Sequence, residues 1–429
     1  LGDTFFTEST GGHLGIGFII SSGSGGTSAT YQFNFGQDST FSGGNTAGGN
    51  SDDRGIGDFK YPVPSGALAL CSVNFPLTAP SVIRPQKHFD TVLFTGNGST
   101  GQSITSLEFQ PDLLWFKSRS NARNHALNDS VRGRAKVLTP DSTSADQTDD
   151  AGRGLVSFNS NGFTVGNPQN FSSHNNNGET IVAWCWKAGG AAVSNTDGTI
   201  TSSVSVNKEA GFSIVSYTGN EVNNATVGHG LGATPNVVII KDRDSNSAGN
   251  NWYTFHSALD SGHYLKLNEN DVSIAVSGTS NGGVGSVTST TFNFIQGTSG
   301  NNKNTNEDND DFIAYCWTEI PGYSKFGIYL GNSNSNGTYV PCGFRPAWLM
   351  IKRTTGSDPW LILDTTRDSD NVVQDNIFAS SNDAEFNTNV LDFVSNGFKW
   401  RINSGLRNDI NHKYIENAIL RENGQRNEV

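Results

Sequence analysis

Three stretches of this chain carry one skeleton at one spacing, and a repeat of that kind constrains the fold before anything else does. The first opens at Phe94-Thr95-Gly96-Asn97, passes from Pro111 to Lys117 and closes at Ile181-Val182-Ala183-Trp184-Cys185-Trp186. The second runs through Tyr217-Thr218-Gly219-Asn220, Pro235 to Lys241, and Phe312-Ile313-Ala314-Tyr315-Cys316-Trp317. The third has Tyr329-Leu330-Gly331-Asn332 and Pro346 to Lys352, with a degenerate close at Tyr414-Ile415. From opening Gly to Pro is 15, 16 and 15 residues, and from Pro to Lys is six each time. Copies one and three also share Asp-x-x-Arg, Asp129/Arg132 and Asp364/Arg367, with the Asp 12 residues past the Lys. Both then reach Ser-Asn-Gly-Phe, with the Gly 45 past the Lys. The second copy has Trp252-Tyr253-Thr254-Phe255-His256-Ser257 there and is the most diverged.

Proline followed by six mostly apolar or β-branched residues predicts a strand buried on both faces, and the Ile-Val-Ala-Trp-Cys-Trp close reads the same way. Asn-Gly between aromatic-bearing stretches predicts a tight hairpin. Copies of about 110 residues with many short strands predict two packed antiparallel sheets each. The expected fold is therefore all-β, in tandem antiparallel β-sandwich or jelly-roll modules: repeat 1 over residues 85–190, repeat 2 over 191–322 and repeat 3 over 323–429. Residues 1–84 stand outside the repeat. Ala188 to Ala210, rich in Gly, Ala, Ser and Thr, reads as a linker, Ile320 to Lys325 as a short boundary, and Asn411 to Val429 as a tail of modest helical character.

Composition narrows the class further. With 50 Gly, one Met and 16% charged residues among 429, the chain lacks the residues of long helices, while 26 Phe, 10 Tyr and 8 Trp exclude disorder. The longest apolar run, Leu14 to Ile20, is far short of the ~20 residues that cross a bilayer as a helix. A net charge of −12 repels phosphate backbones, so nucleic acid is not an expected partner. Cys71, Cys185, Cys316 and Cys342 are too few for a disulfide scaffold and read as buried thiols. Leu1 follows no signal-peptide pattern, and the sequence reads as part of a longer or processed chain.

Chemistry-bearing motifs are sparse: there is no Gly-x-Ser-x-Gly, phosphate loop or His-Glu-x-x-His. The two Asp-x-x-Arg pairs read as loop-bracing ion pairs. Asp242-Arg243-Asp244-Ser245-Asn246 has oxygen ligands at alternate positions but lacks the Gly and Glu of a calcium loop, and Asn306 to Asp311 reads as a solvated acidic turn. His125 and His256 hold loosely matching places after the Lys, and neither is assigned a metal or cofactor. Trp252, Tyr253 and Trp360 are the candidate glycan-stacking aromatics, set against a reading as core.

Tyr31 to Gln37 and Phe59 to Cys71 resemble the last strands of a SPRY-type, concanavalin-like sandwich, and that resemblance implies earlier strands supplied either N-terminal to Leu1 or by another chain. From His88-Phe89-Asp90-Thr91-Val92 through Trp184 to Gly190 and on to Gly322 to Gly327, the sequence resembles a module of structural proteins in marine tailed bacteriophages, cyanophages included. The resemblance implies a virion appendage and supplies no catalytic residues. The expected function is thus a non-enzymatic, fibre-like or surface appendage subunit on the outside of a phage particle, serving host attachment or assembly. Its expected partners are other virion subunits, as a homo-oligomer such as a trimer. A carbohydrate-binding adhesin for host-surface glycan is the alternative, and a polysaccharide depolymerase ranks last.

Overall fold

A computed structural model describes residues 34, 38–53, 55–64, 69, 82, 84–149, 152–167, 173–244, 250–278, 282–299 and 303–420. The chain divides into two units, Leu1–Thr78 and Ala79–Val429. In the first unit Asn50 and Phe59 form an antiparallel bridge, and Asp52 accepts from Ile56 N and Ala69 N. The SPRY-like stretches fall mostly outside the described residues.

The second unit holds all three copies, and each is built on the same four strands. An opening strand (Phe89–Thr95, Phe212–Thr218, Ser324–Leu330) lies beside a closing strand (Thr180–Trp186, Asp311–Trp317, Lys413–Ile419). The closing strand pairs on its other side with a proline strand (Leu113–Ser118, Val237–Asp242, Trp348–Arg353). Next comes a bracing strand (Ala126–Asp129, Trp252–His256, Leu361–Asp364). All pairs are antiparallel, and the register repeats: Trp184 lies opposite Trp115, Tyr315 opposite Ile239, and Asn417 opposite Met350.

Alternation along these strands explains their burial on both faces. In the first module Leu114, Phe116, Ile181, Ala183 and Cys185 face a second sheet carrying Ile104, Phe163 and Val165, the interior of a two-layer sandwich. The intervening residues Leu113, Trp115, Val182, Trp184 and Trp186 face the other way. There they join Ile214, Ile239, Trp252 and Tyr315 of the second module and Trp348, Met350, Trp360 and Ile415 of the third in one shared core. Trp186 meets Trp348 edge-on, centroids 5.6 Å apart at 88°, and Trp317 at 6.3 Å and 69°, so every module contributes a ring to one cluster. The three modules are packed around a common axis rather than strung in a row.

The structure corrects three expectations, two about the chain between and at the end of the modules and one about the hairpins within them. The stretch taken as a linker contains strands Val193–Asn195 and Ser202–Asn207, which extend the second module's sheet; its Ser-Val-Ser-Val alternation is a strand pattern that small residues disguise. The third close is complete. Lys413–Ile419 is a strand in the same register as the other two, because Tyr414 and Ile415 must be buried on opposite faces, which a helix on one side of a sheet cannot do. The hairpins form, but Asn159 pairs with Gly162 and Val394 with Gly397, so Ser-Asn is the two-residue loop and Gly opens the next strand. A Cβ on Gly162 would sit 1.9 Å from the Ile104 carbonyl oxygen, and one on Gly397 2.1 Å from that of Val340.

Candidate functional site

The residues that the repeat singles out converge on the seams between modules. At the start of each bracing strand, a ring nitrogen bonds a backbone carbonyl of the neighbouring module. His125 Nε2 lies 3.0 Å from Phe378 O, Trp252 Nε1 donates to Thr139 O at 3.0 Å, and Trp360 Nε1 donates to Lys266 O at 2.9 Å. Register makes His125, Trp252 and Trp360 one station, so the first module contacts the third, the second the first, and the third the second. His125 Nδ1 accepts from Trp115 Nε1 at 2.8 Å, which leaves Nε2 as the donor, and burial pushes its pKa down to about 3. It is a neutral structural donor.

The repeated lysines do the same work one strand over. Lys117, Lys241 and Lys352 are fully buried. Each Nζ bonds its own strand end, at Ser118 O, Asp242 O and Arg353 O, and then a carbonyl of the next module, Asn382 O at 3.4 Å, Thr143 O at 3.4 Å and Asn270 O at 3.3 Å. A Lys at a strand end next to a stack of carbonyls can place three donors, which is why the spacing from Pro to Lys does not drift. Burial pulls all three ammonium groups down to about 8.

The Asp-x-x-Arg pairs are ion pairs that brace their own turns, as expected, with Asp129 Oδ1 taking Val131 N and Arg132 N and Asp364 Oδ1 taking Thr366 N and Arg367 N, and they brace modules as well. Asp129 Oδ2 takes Arg132 Nε at 2.6 Å and the hydroxyl of Tyr315, from the second module, at 2.7 Å. Asp364 Oδ2 takes Arg367 Nε at 2.5 Å and the indole N–H of Trp184, from the first module, at 3.0 Å. Each arginine reaches on to a second carboxylate that also holds an arginine of the neighbour: Asp146 links Arg132 to Arg243, and Glu385 links Arg367 to Arg119. Neighbouring carboxylates keep both buried guanidiniums charged.

The third seam, between modules two and three, has the same geometry without the Asp–Arg ion pair. His256 stands at the station of Asp129 and Asp364, with its ring against the Glu416 backbone, and burial lowers its pKa to about 4. Leu259 packs where the arginines stand, and Ser273 N donates to Thr354 O just as Asp146 N does to Arg243 O and Glu385 N to Arg119 O. His125 and His256 are therefore at different stations, which corrects their expected equivalence.

One repeated element escaped sequence reading. Asn175, Asn306 and Asn408, each fully buried, clasp the Asn of the Gly-Asn opening: Asn97, Asn220 and Asn332 donate backbone N–H to their Oδ1 at 2.9, 3.0 and 3.1 Å. Their Nδ2 groups return a bond to the opening Asn Oδ1 at 3.2, 3.1 and 2.9 Å. Each lies five residues before its closing strand, a spacing that could have revealed them.

Trp252, Tyr253 and Trp360 are buried, at 1%, 5% and 0% exposure, so no sugar ring can stack on them; the two indoles are committed to the seams. The two acidic stretches meet, with single carboxylate oxygens of Asp242, Asp244 and Asp310 within 4.8 Å of one another. Asp242 Oδ1 takes Asp244 N, capping its own turn, and Asp244 Oδ2 takes Asp311 N, tying that turn to the second stretch. Cys185, Cys316 and Cys342 are buried, and burial raises each thiol pKa, which works against a reactive thiolate.

No curated protein and no solved structure matches the chain. Residues 84–422 match a family described as a domain of unknown function, DUF7483, a span that takes in all three modules and both ion-paired seams. The chain belongs to that DUF7483 family.

Proposed function

We propose that this chain is a non-enzymatic structural subunit on the surface of a tailed-phage virion, fibre-like or otherwise an appendage, serving attachment or assembly among other virion subunits. The observation that carries the reading is where the repeated polar residues go. Lys117, Lys241, Lys352, Asp129, Arg132, Asp364 and Arg367 all hold module to module, and none of them opens onto a cleft. Groups buried at zero exposure and saturated by partners serve rigidity rather than turnover, which is what a particle surface under shear requires. The resemblance to phage structural modules supports the same reading. The threefold relation that an oligomer would supply is already present within one chain. Proteomics of purified particles tests the proposal: the polypeptide should be recovered in stoichiometric amount, and particles that infect normally without it would sink the idea.

A further inference from the structure

The third module's opening strand, Ser324–Leu330, ends its sheet. Tyr323 O accepts from Leu420 N at 2.8 Å and Gly331 N donates to His412 O at 3.2 Å. Antiparallel alternation then turns the backbone groups of Ser324, Phe326, Ile328 and Leu330 outward. Phe326 N is taken by Glu319 Oε2 at 3.3 Å and Leu330 O by Thr338 Oγ1 at 2.8 Å. Between them the N–H and C=O of Ile328 face the open edge, with no strand beyond them among the described residues.

The second module shows what belongs there. At its equivalent edge Ser202–Asn207 is seated antiparallel on Phe212–Thr218, with Ser203 opposite Ser216, the station of Ile328. That strand comes from the chain just ahead of the module. Only Thr318–Tyr323 lie ahead of the third, too few to return a strand. The side chains run against expectation as well: the covered edge carries Ser216 and Thr218, whereas the open one carries Ile328 and Leu330, 43% and 59% exposed. Ile410, 55% exposed, adjoins them through the Gly331–Ile410 bridge. Open edges are normally guarded by charge, but the one charge on this strand, Lys325, is paired to Glu319 at 3.0 Å.

We propose that Ser324–Leu330 pairs antiparallel with the same strand of a second copy of this chain, a twofold axis passing between the two Ile328 residues. An identical strand brings the same open N–H and C=O and the same two apolar side chains, which is the self-complementarity an isologous contact needs. In this register Ile328 exchanges both hydrogen bonds with its copy and Phe326 faces Leu330. The two Lys325 residues stand roughly 20 Å apart at ~3.4 Å per residue, beyond the ~8 Å screening length of physiological salt. The pairing holds or fails independently of the virion reading.

Sedimentation equilibrium up to about 100 μM, the range in which a small interface is populated, should show a monomer–dimer equilibrium that tightens with salt, because the copies carry −12 each. Ile328→Lys and Leu330→Lys should each weaken it at least tenfold with circular dichroism and melting temperature unchanged, while Val222→Lys, equally exposed but on the second module, should leave it intact. Exchange of the Ile328 amide should slow as concentration rises. A wild-type chain that stays monomeric throughout, or a dimer indifferent to Ile328→Lys, overturns the proposal.

Discussion

Trp184 donates its indole N–H to Asp364 Oδ2 at 3.0 Å across 180 positions of sequence, joining the first module to the last. No short chain segment links those two modules directly, so their seam depends on cross-module contacts such as this one and the backbone bond from Glu385 N to Arg119 O. The Arg367 guanidinium also lies over the Trp184 ring, 5.6 Å from its centroid, so one carboxylate orders both an indole and a cation.

Truncating that carboxylate should be costly. Asp364→Ala leaves Arg367 buried at zero side-chain exposure beside an orphaned indole N–H, and removal of one partner of a buried ion pair costs about 3–5 kcal/mol. Asp129→Ala should behave alike at the other charged seam. Tyr315→Phe, which removes only a hydroxyl, should cost about 1 kcal/mol. Urea unfolding checks the order, and equal losses for Tyr315→Phe and Asp129→Ala would contradict it.

The seam that lacks the Asp–Arg pair suggests a compensated exchange. Asp, Arg, acid and Arg at two seams become His256, Leu259, Ser273 and Thr354 at the third, all four together. Replacing Asp364→His, Arg367→Leu, Glu385→Ser and Arg119→Thr at once should recover most of the stability that the single changes lose, because no member of the Asp–Arg–Glu–Arg set is left buried without its partner and Asp375, which loses Arg119, keeps its bond from Asn387. Losses that simply add across the four positions would show that the seams are not interchangeable.

Much of the architecture was legible from spacing. Pro111, Pro235 and Pro346 with their lysines placed three strands correctly, and alternation implied burial on both faces. What covers the outer face was not legible, because contact between Trp184 and Asp364 leaves no local trace. The third close was hidden by composition, since Glu416 and Asn417 replace Ala and an aromatic. The seam residues were visible as a pattern, but their partners, backbone carbonyls such as Phe378 O and Lys266 O, carry no side-chain signature at all.

Glu416 should make stability fall with rising pH. It occupies the station of Ala183 and Ala314, and the valines opposite those, Val92 and Val215, give way to Gly327. A Cβ there would sit 2.3 Å from Glu416 Oε1. Burial pushes the carboxyl up to about 8 from 4.5. A raised folded pKa means a contribution fully present below about 4.5 and lost as pH rises through about 8. Glu416→Gln should match wild type near pH 5 and exceed it above pH 8 in chemical denaturation. The three lysines act in the opposite sense over a higher window: lowered from 10.5 to about 8, they should return stability between those values. A wild-type stability curve without a dip near pH 8 would count against both assignments.

The asparagine clasp should outweigh its size. The Asn408 side chain makes four hydrogen bonds, three through Nδ2 to Asn332, Asn334 and Ile402 and one through Oδ1 from Asn332 N. Asn408→Ala strands several of these groups at an expected loss of about 1–3 kcal/mol. Asn408→Asp keeps the acceptor but turns the donor face into a buried charge against carbonyls, so it should be the worse change despite its shape. Gly331→Ala strikes the same joint from the other side, with its Cβ 2.1 Å from the Asp409 carbonyl. All three should raise amide exchange first around residues 331–334 and 405–410, ahead of the shared core, and a loss spread evenly over the three modules would mean the clasp is not a local lock.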